Sequence, residues 1–177
     1  MQDTLGRLFR YKAWANAELL STLARLDGPV VGLAIQALSH SHVVDRIFAA
    51  HLRHQAHAHA SANPHELPTL AQLSADIRAT DREYIDYVAS LDGDQLRERI
   101  DFTFTDGAPG RMSREEMLLH VITHGVGHRG QVSAALLLND ATPAIDGFTT
   151  YLHTAEAETR RRASPLVGLW ADATYGH

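Results

Sequence analysis

The sequence predicts an all-α protein, a four-helix bundle, and three observations carry that expectation. Four long segments repeat apolar residues at intervals of three and four. Turn or capping residues punctuate the gaps between them. Only one short stretch, near 98–111, alternates apolar and polar residues as a strand does. No period of 20–50 residues repeats and no low-complexity linker divides the chain. The 177 residues, 45% of them hydrophobic, therefore read as one domain (1–177) with a single sizeable core.

The first helix is expected from about residue 3 to 26. Leu5, Leu8, Phe9, Trp14, Ala15, Leu19, Leu23 and Leu26 keep helical spacing except at Tyr11–Lys12, and Asp27-Gly28-Pro29 stops the run. The second is expected from about 30 to 54, on Leu33, Ile35, Leu38, Val43, Val44, Ile47, Phe48 and Leu52. "HQAHAHASANPHE" then loses periodicity and reads as a solvated loop, with His54, His57, His59 and His65 in or beside it. Pro68-Thr69 announces the third helix, with Gln72 completing a capping box. Its seam of Leu70, Leu73, Ile77, Tyr84, Val88 and Leu91 ends at Asp92-Gly93-Asp94. "RIDFTFTDGAPG" predicts a short extended segment or small hairpin turning at Asp106-Gly107, a connection rather than a sheet domain. Ser113 and Glu116 form a second capping box, with Met112 placed to staple onto Met117, and open a helix running to about Leu138. An extra C-terminal helix at about 147–162 ends in Arg160-Arg161-Arg162, which suits a helix C-terminus. The tail at 163–177 carries Leu166, Leu169 and Trp170, which suit packing against something, such as a second subunit of a homodimer.

Composition narrows the chemistry. The net charge of −5, with no basic block, argues against nucleic acid or an anionic membrane as partner and leaves a small-molecule substrate as the expectation. The N-terminus is amphipathic and charged throughout, unlike a signal peptide. Gly28–Val44 is free of charge but too polar to span a bilayer, so a cytoplasmic protein is expected. There is no cysteine, which removes disulfides, thiolate ligands and cysteine nucleophiles. Any metal must take imidazole or oxygen ligands.

The stretch "HVITHGVGHRGQ" at 120–131 carries the strongest chemical signal. His120, His124 and His128 stand four apart, one above another on a helical face. Gly125, Gly127 and Gly130 interrupt the same helix, each at a cost of about 1 kcal/mol relative to alanine. Histidines at i and i+4 can share one ion, but no glutamate follows His124, so the general base of a metalloprotease is missing. A further ligand has to come from a facing helix, where the second segment offers His40, His42 and His51. His40 falls in line with Val44, Ile47 and His51 and should face inward, whereas His42 groups with Asp45 and Arg46 nearer an edge.

Three segments in order carry a family resemblance: "LFRYKAWANAELL" (8–20), "LSHSHVVDRIFAAHL" (38–52) and "HVITHGVGHRGQV" (120–132), with "TP-x-x-D" at 142–146 before the last helix. The chain resembles the DinB/YfiT-like family of proposed metalloenzymes, which includes thiol-dependent S-transferases. The resemblance extends to about residue 155. It implies an up-down-down-up bundle and a divalent metal ion, zinc or nickel foremost, held by His40, His124 and His128. The extra histidines near the second helix and the tail after 163 depart from the pattern.

On that basis the glycines are expected to let a partner helix or a substrate approach the histidines. His120, Arg129 and Asp45 are the candidates for catalytic roles, with His120 either a fourth ligand or a neighbour of the ligands. Arg129 and Gln131 are expected to orient groups around the site, and one of them to satisfy Asn16. Tyr11, Trp14 and Asn16 are expected to pack the first helix on the signature helix. Because the chain has no cysteine, the thiol of a transferase would be a low-molecular-weight cofactor. Metal-dependent hydrolysis, a non-catalytic stress-linked metal- or ligand-binding protein, and a bundle with a vestigial site are the alternatives.

Overall fold

The structure, a computed structural model, describes residues 2–161; the expected packing of the 163–177 tail lies outside the described residues. Its elements are α1 (Gln2–Leu23), α2 (Pro29–Leu52), α3 (Leu70–Ala89), α4 (Gly93–Arg97), β1 (Arg99–Thr103), β2 (Pro109–Ser113), α5 (Arg114–Leu138), α6 (Phe148–Ala155) and α7 (Ala157–Arg161).

Local chemistry sets most of these boundaries. The Thr69/Gln72 and Ser113/Glu116 capping boxes both form, each satisfying two otherwise unpaired donors at a helix start. Asp92, expected only as a stop, also caps α4 through a box with Gln95. α1 ends three residues early because the chain tightens there, with Arg25 N bonded to Thr22 O and Leu26 N to Leu23 O. α2 ends two residues early in a Schellman motif: His54 takes φ 53°, its N–H bonds to His51 O, and Gln55 N–H bonds to Ala50 O. α5 closes in the same way, with Asp140 at φ 55° and Ala141 N–H on Leu136 O. The single C-terminal helix expected at 147–162 is instead two pieces. They divide at Glu156, whose carboxylate is held by Arg7 of α1 at 3.1 Å and Arg160 at 2.8 Å.

The expected hairpin is present. β1 and β2 pair antiparallel, Arg99 opposite Ser113 and Thr103 opposite Pro109, around a turn in which Gly107 adopts φ 89°. Gly110 lies directly beneath the Phe102 ring, where no Cβ fits. Ile100 enters the core, and Arg114 ties the hairpin to the bundle by donating to Leu52 O, the Tyr87 hydroxyl and Glu98.

Long-range pairs fix the helix directions. His42 meets Thr80 and Tyr87 meets the end of α2 at Leu52, so α2 and α3 run parallel. Gln2 meets Val88 and Asn16 meets Asp81, so α1 opposes α3. Phe48 lies by His120 while His40 lies by His128, so α2 opposes α5. α1 and α5 therefore point the same way, in contact where Arg129 meets Asn16. The order is up-down-down-up, and the parallel α2–α3 pair requires the long crossover 53–69. Apolar side chains from all four long helices form the core, in which the Phe9 and Tyr84 rings stack 5.0 Å apart. Among the described residues no helix is long and apolar enough to cross a membrane.

Candidate metal centre

Antiparallel packing of α2 on α5 brings His40 against the histidine stripe. The His40 ring lies 4.8 Å from the His128 ring and 5.3 Å from the His124 ring, centroid to centroid. Nε2 of His124 and Nε2 of His128 face each other at 3.2 Å. One ring nitrogen from each of the three residues lies within 4.8 Å of the others, and all three side chains are half-buried. This is the histidine set expected from the resemblance. His42 is turned to Thr80 on α3, at 3.0 Å, and His51 lies against Phe102 and His57, so neither joins the group.

Burial favours the neutral form of the two rings on α5. Burial, reinforced by His128, His120, His40 and Lys12, pushes His124 down to about 4. Burial and His40 lower His128, with Gln131 opposing. Neutral imidazole is the form that ligates a metal. Facing lone pairs at 3.2 Å repel unless a proton or a cation lies between them, and two nitrogens bonded to one zinc at about 2.1 Å stand roughly 3.4 Å apart in a tetrahedron. The Nδ1 atoms of His124 and His128 are buried and have no hydrogen-bond partner among the described residues. The donor set therefore fits a borderline divalent ion of the zinc, nickel or copper kind.

The other candidates separate. His120 remains beside the triad, its ring 5.4 Å from His124 and 4.6 Å from Phe48, and burial lowers its pKa. Asp45 and Arg129 belong elsewhere. Asp45 accepts from Lys12 Nζ at 2.7 Å, and Asp81 accepts from the same ammonium at 2.8 Å. Asn16 donates to Asp81 and accepts from Arg129, one of the two partners expected for it, and Arg129 donates to Asp146 at 2.7 Å. Burial raises Asp45 to about 6 against the opposing pull of Lys12. This buried ionic chain joins α1, α2, α3, α5 and the 139–147 connection behind the histidines. Sequence reasoning missed its centre, although Lys12 breaks the apolar stripe of α1 and is one helical turn from Asn16. Tyr11 and Trp14 pack chiefly on Phe148 and Tyr151, on α6 rather than on the signature helix.

Two glycine expectations change. A Cβ on Gly127 or Gly130 would meet nothing within 4 Å, so neither permits a tight helix crossing. The close approach occurs at Gly125, where a Cβ would lie 3.3 Å from Lys12 Cε and 3.4 Å from Arg129 Nη1. Gly127 and Gly130 instead lie exposed on the surface of α5.

A helical bundle with three histidines converging from two antiparallel helices defines the class of molecule. The model of the DinB family matches residues 1–162, and the chain belongs to that family. It is 24% identical to Protein DinB of Bacillus subtilis (strain 168), over 89% of this chain and 99% of that protein. No solved structure gives a significant match.

Proposed function

We propose that His40, His124 and His128 hold one divalent metal ion, and that the protein is a metal-dependent S-transferase using a small-molecule thiol. The observation that carries the reading is the convergence of three imidazoles from α2 and α5, with two Nε2 atoms 3.2 Å apart. Neutral ligands leave the full +2 charge in place, and a bound ion supplies Lewis acidity that lowers the pKa of a coordinated thiol or water. The chain's own part is to fix the ligands and to place His120 next to the triad. With no cysteine, the chain itself provides no thiol.

Thiol transfer is favoured over hydrolysis by where the acidic and basic groups lie. Water-mediated cleavage calls for a positioned general base. Asp45 is held by Lys12 and Arg129 by Asp146, so of the three catalytic candidates His120 is the one beside the ligands. Thiol attack needs only the thiolate, which is scarce in solution below a pKa near 8.5. Glutathione, bacillithiol, mycothiol and coenzyme A are the thiols to screen with a chromogenic electrophile. Holo-protein should accelerate the reaction most clearly at about pH 6.5–8.5, and chelation or His128→Ala should abolish the acceleration. A cobalt-substituted protein should gain a sulfur-to-metal charge-transfer band with the active thiol. If no thiol alters the cobalt spectrum or reacts faster with holo-protein than with His128→Ala protein, the transferase reading gives way to hydrolysis or simple binding.

A further inference from the structure

The crossover 53–69 has the composition of a solvated loop, yet it is seated on α2 near the histidine centre. The His57 ring packs 5.0 Å from His51 at one point of the loop. Farther along, Ala62 packs against the apolar core. Ser61 Oγ accepts from the Asn63 backbone N–H at 3.0 Å, which shapes the turn between them. The Asn63 side chain then reaches His40, with Oδ1 3.0 Å from His40 Nδ1. An amide oxygen only accepts, so the imidazole must carry its proton on Nδ1 to make this bond. The hydrogen bond at one ring nitrogen decides which nitrogen keeps a lone pair for a metal.

We propose that Asn63 is a positioning residue for the metal centre: by accepting from His40 Nδ1–H it fixes that ring's tautomer and angle and leaves Nε2 as its donor nitrogen. The inference rests on the reading of the triad as a metal site and adds a residue from outside the helical bundle to it. The crossover is thereby more than a connection between parallel helices, because its seating on α2 sets the state of one ligand. Asn63 itself is exposed, so its side chain contributes little to the fold and its removal acts mainly on His40. An aspartate in its place keeps the acceptor, whereas alanine removes it.

Two measurements on the full chain, without a histidine tag, test this. The first is side-chain nitrogen NMR of metal-free protein at about pH 8, where unperturbed imidazoles are neutral. His40 should carry its proton on Nδ1 in the wild type and in Asn63→Asp, and shift toward Nε2–H in Asn63→Ala. The second is zinc affinity by competition with a chromogenic chelator. Asn63→Ala should bind zinc about ten- to a hundredfold more weakly, and Asn63→Asp should recover most of that loss. A wild-type tautomer and wild-type zinc affinity in Asn63→Ala would overturn the inference, as would loss of zinc in Asn63→Asp as severe as in Asn63→Ala. If the wild type takes up no zinc at all, the metal reading fails, and the spectra of metal-free protein still decide whether Asn63 sets the His40 tautomer.

Discussion

Lys12 is only 2% exposed, yet it carries an ammonium bonded to two carboxylates, Asp45 and Asp81, that are themselves buried. Removing one partner of such a group leaves uncompensated charge in the interior, at a cost of about 3–5 kcal/mol. Lys12→Met should therefore lower unfolding free energy by an amount of that order in a urea titration. Adding Asp45→Asn and Asp81→Asn to Lys12→Met should restore part of the loss. If Lys12→Met alone unfolds at the wild-type urea midpoint, the buried ionic chain does not hold the four long helices as described. The residue scale is also where the sequence was hardest to read. The histidines of the triad announce themselves because i, i+4 spacing is local. Lys12 with Asp45 and Asp81, or His40 with Asn63, are joined only by tertiary packing, and no spacing rule links positions so far apart in the chain. Asp45 looked like a neighbour of the site because it lies near His40 and His42 in sequence, but a helix turns it toward Lys12.

The elements were far more legible, because caps, turns and periodicity are written in adjacent residues. Both capping boxes, the Asp106-Gly107 turn and the limits of α5 follow from side chains within four positions of each boundary. The ends of α1 and α2 were less so, since i→i+3 bonds and a Schellman motif close them without a glycine at the turn. Within α5 the three glycines should behave differently. Gly130→Ala meets no neighbour and gains helix propensity, so it should stabilise the protein by up to about 1 kcal/mol. Gly125→Ala presses on Lys12 Cε and Arg129 Nη1, both held by buried ion pairs, so it should lower the melting temperature. Thermal melts of the two variants beside the wild type decide this. A destabilising Gly130→Ala or a stabilising Gly125→Ala would contradict the packing around this helix.

At the scale of the whole molecule, the half-buried histidines make metal-free protein sensitive to acid. His124 titrates near 4 when folded and near 6.5 when unfolded, so between those values the unfolded chain binds more protons. Stability from this residue is present above about pH 6.5 and is lost as the pH falls through about 4. Burial lowers His42, His51, His120 and His128 as well, which adds to the effect from the same side. Asp45 acts in the opposite sense: its folded pKa of about 6 lies above the unfolded value, so its contribution declines as the pH rises through that window. With several histidines against one carboxylate, the melting temperature of metal-free protein should fall from pH 7 to pH 5. His124→Asn should flatten that slope, and an equally steep slope in the variant would show that the histidine centre is not its source.

The central claim is that one ion is held jointly by His40, His124 and His128, and elemental analysis of untagged protein tests it most directly. Losing one of three ligands leaves an ion that water must complete, so each alanine variant should lose it on dialysis. The wild type should carry close to one divalent ion per chain, His40→Ala, His124→Ala and His128→Ala should each fall sharply below that, and His59→Ala should match the wild type. A wild type that takes up no ion, or a His40→Ala protein that retains a full equivalent, would contradict the account.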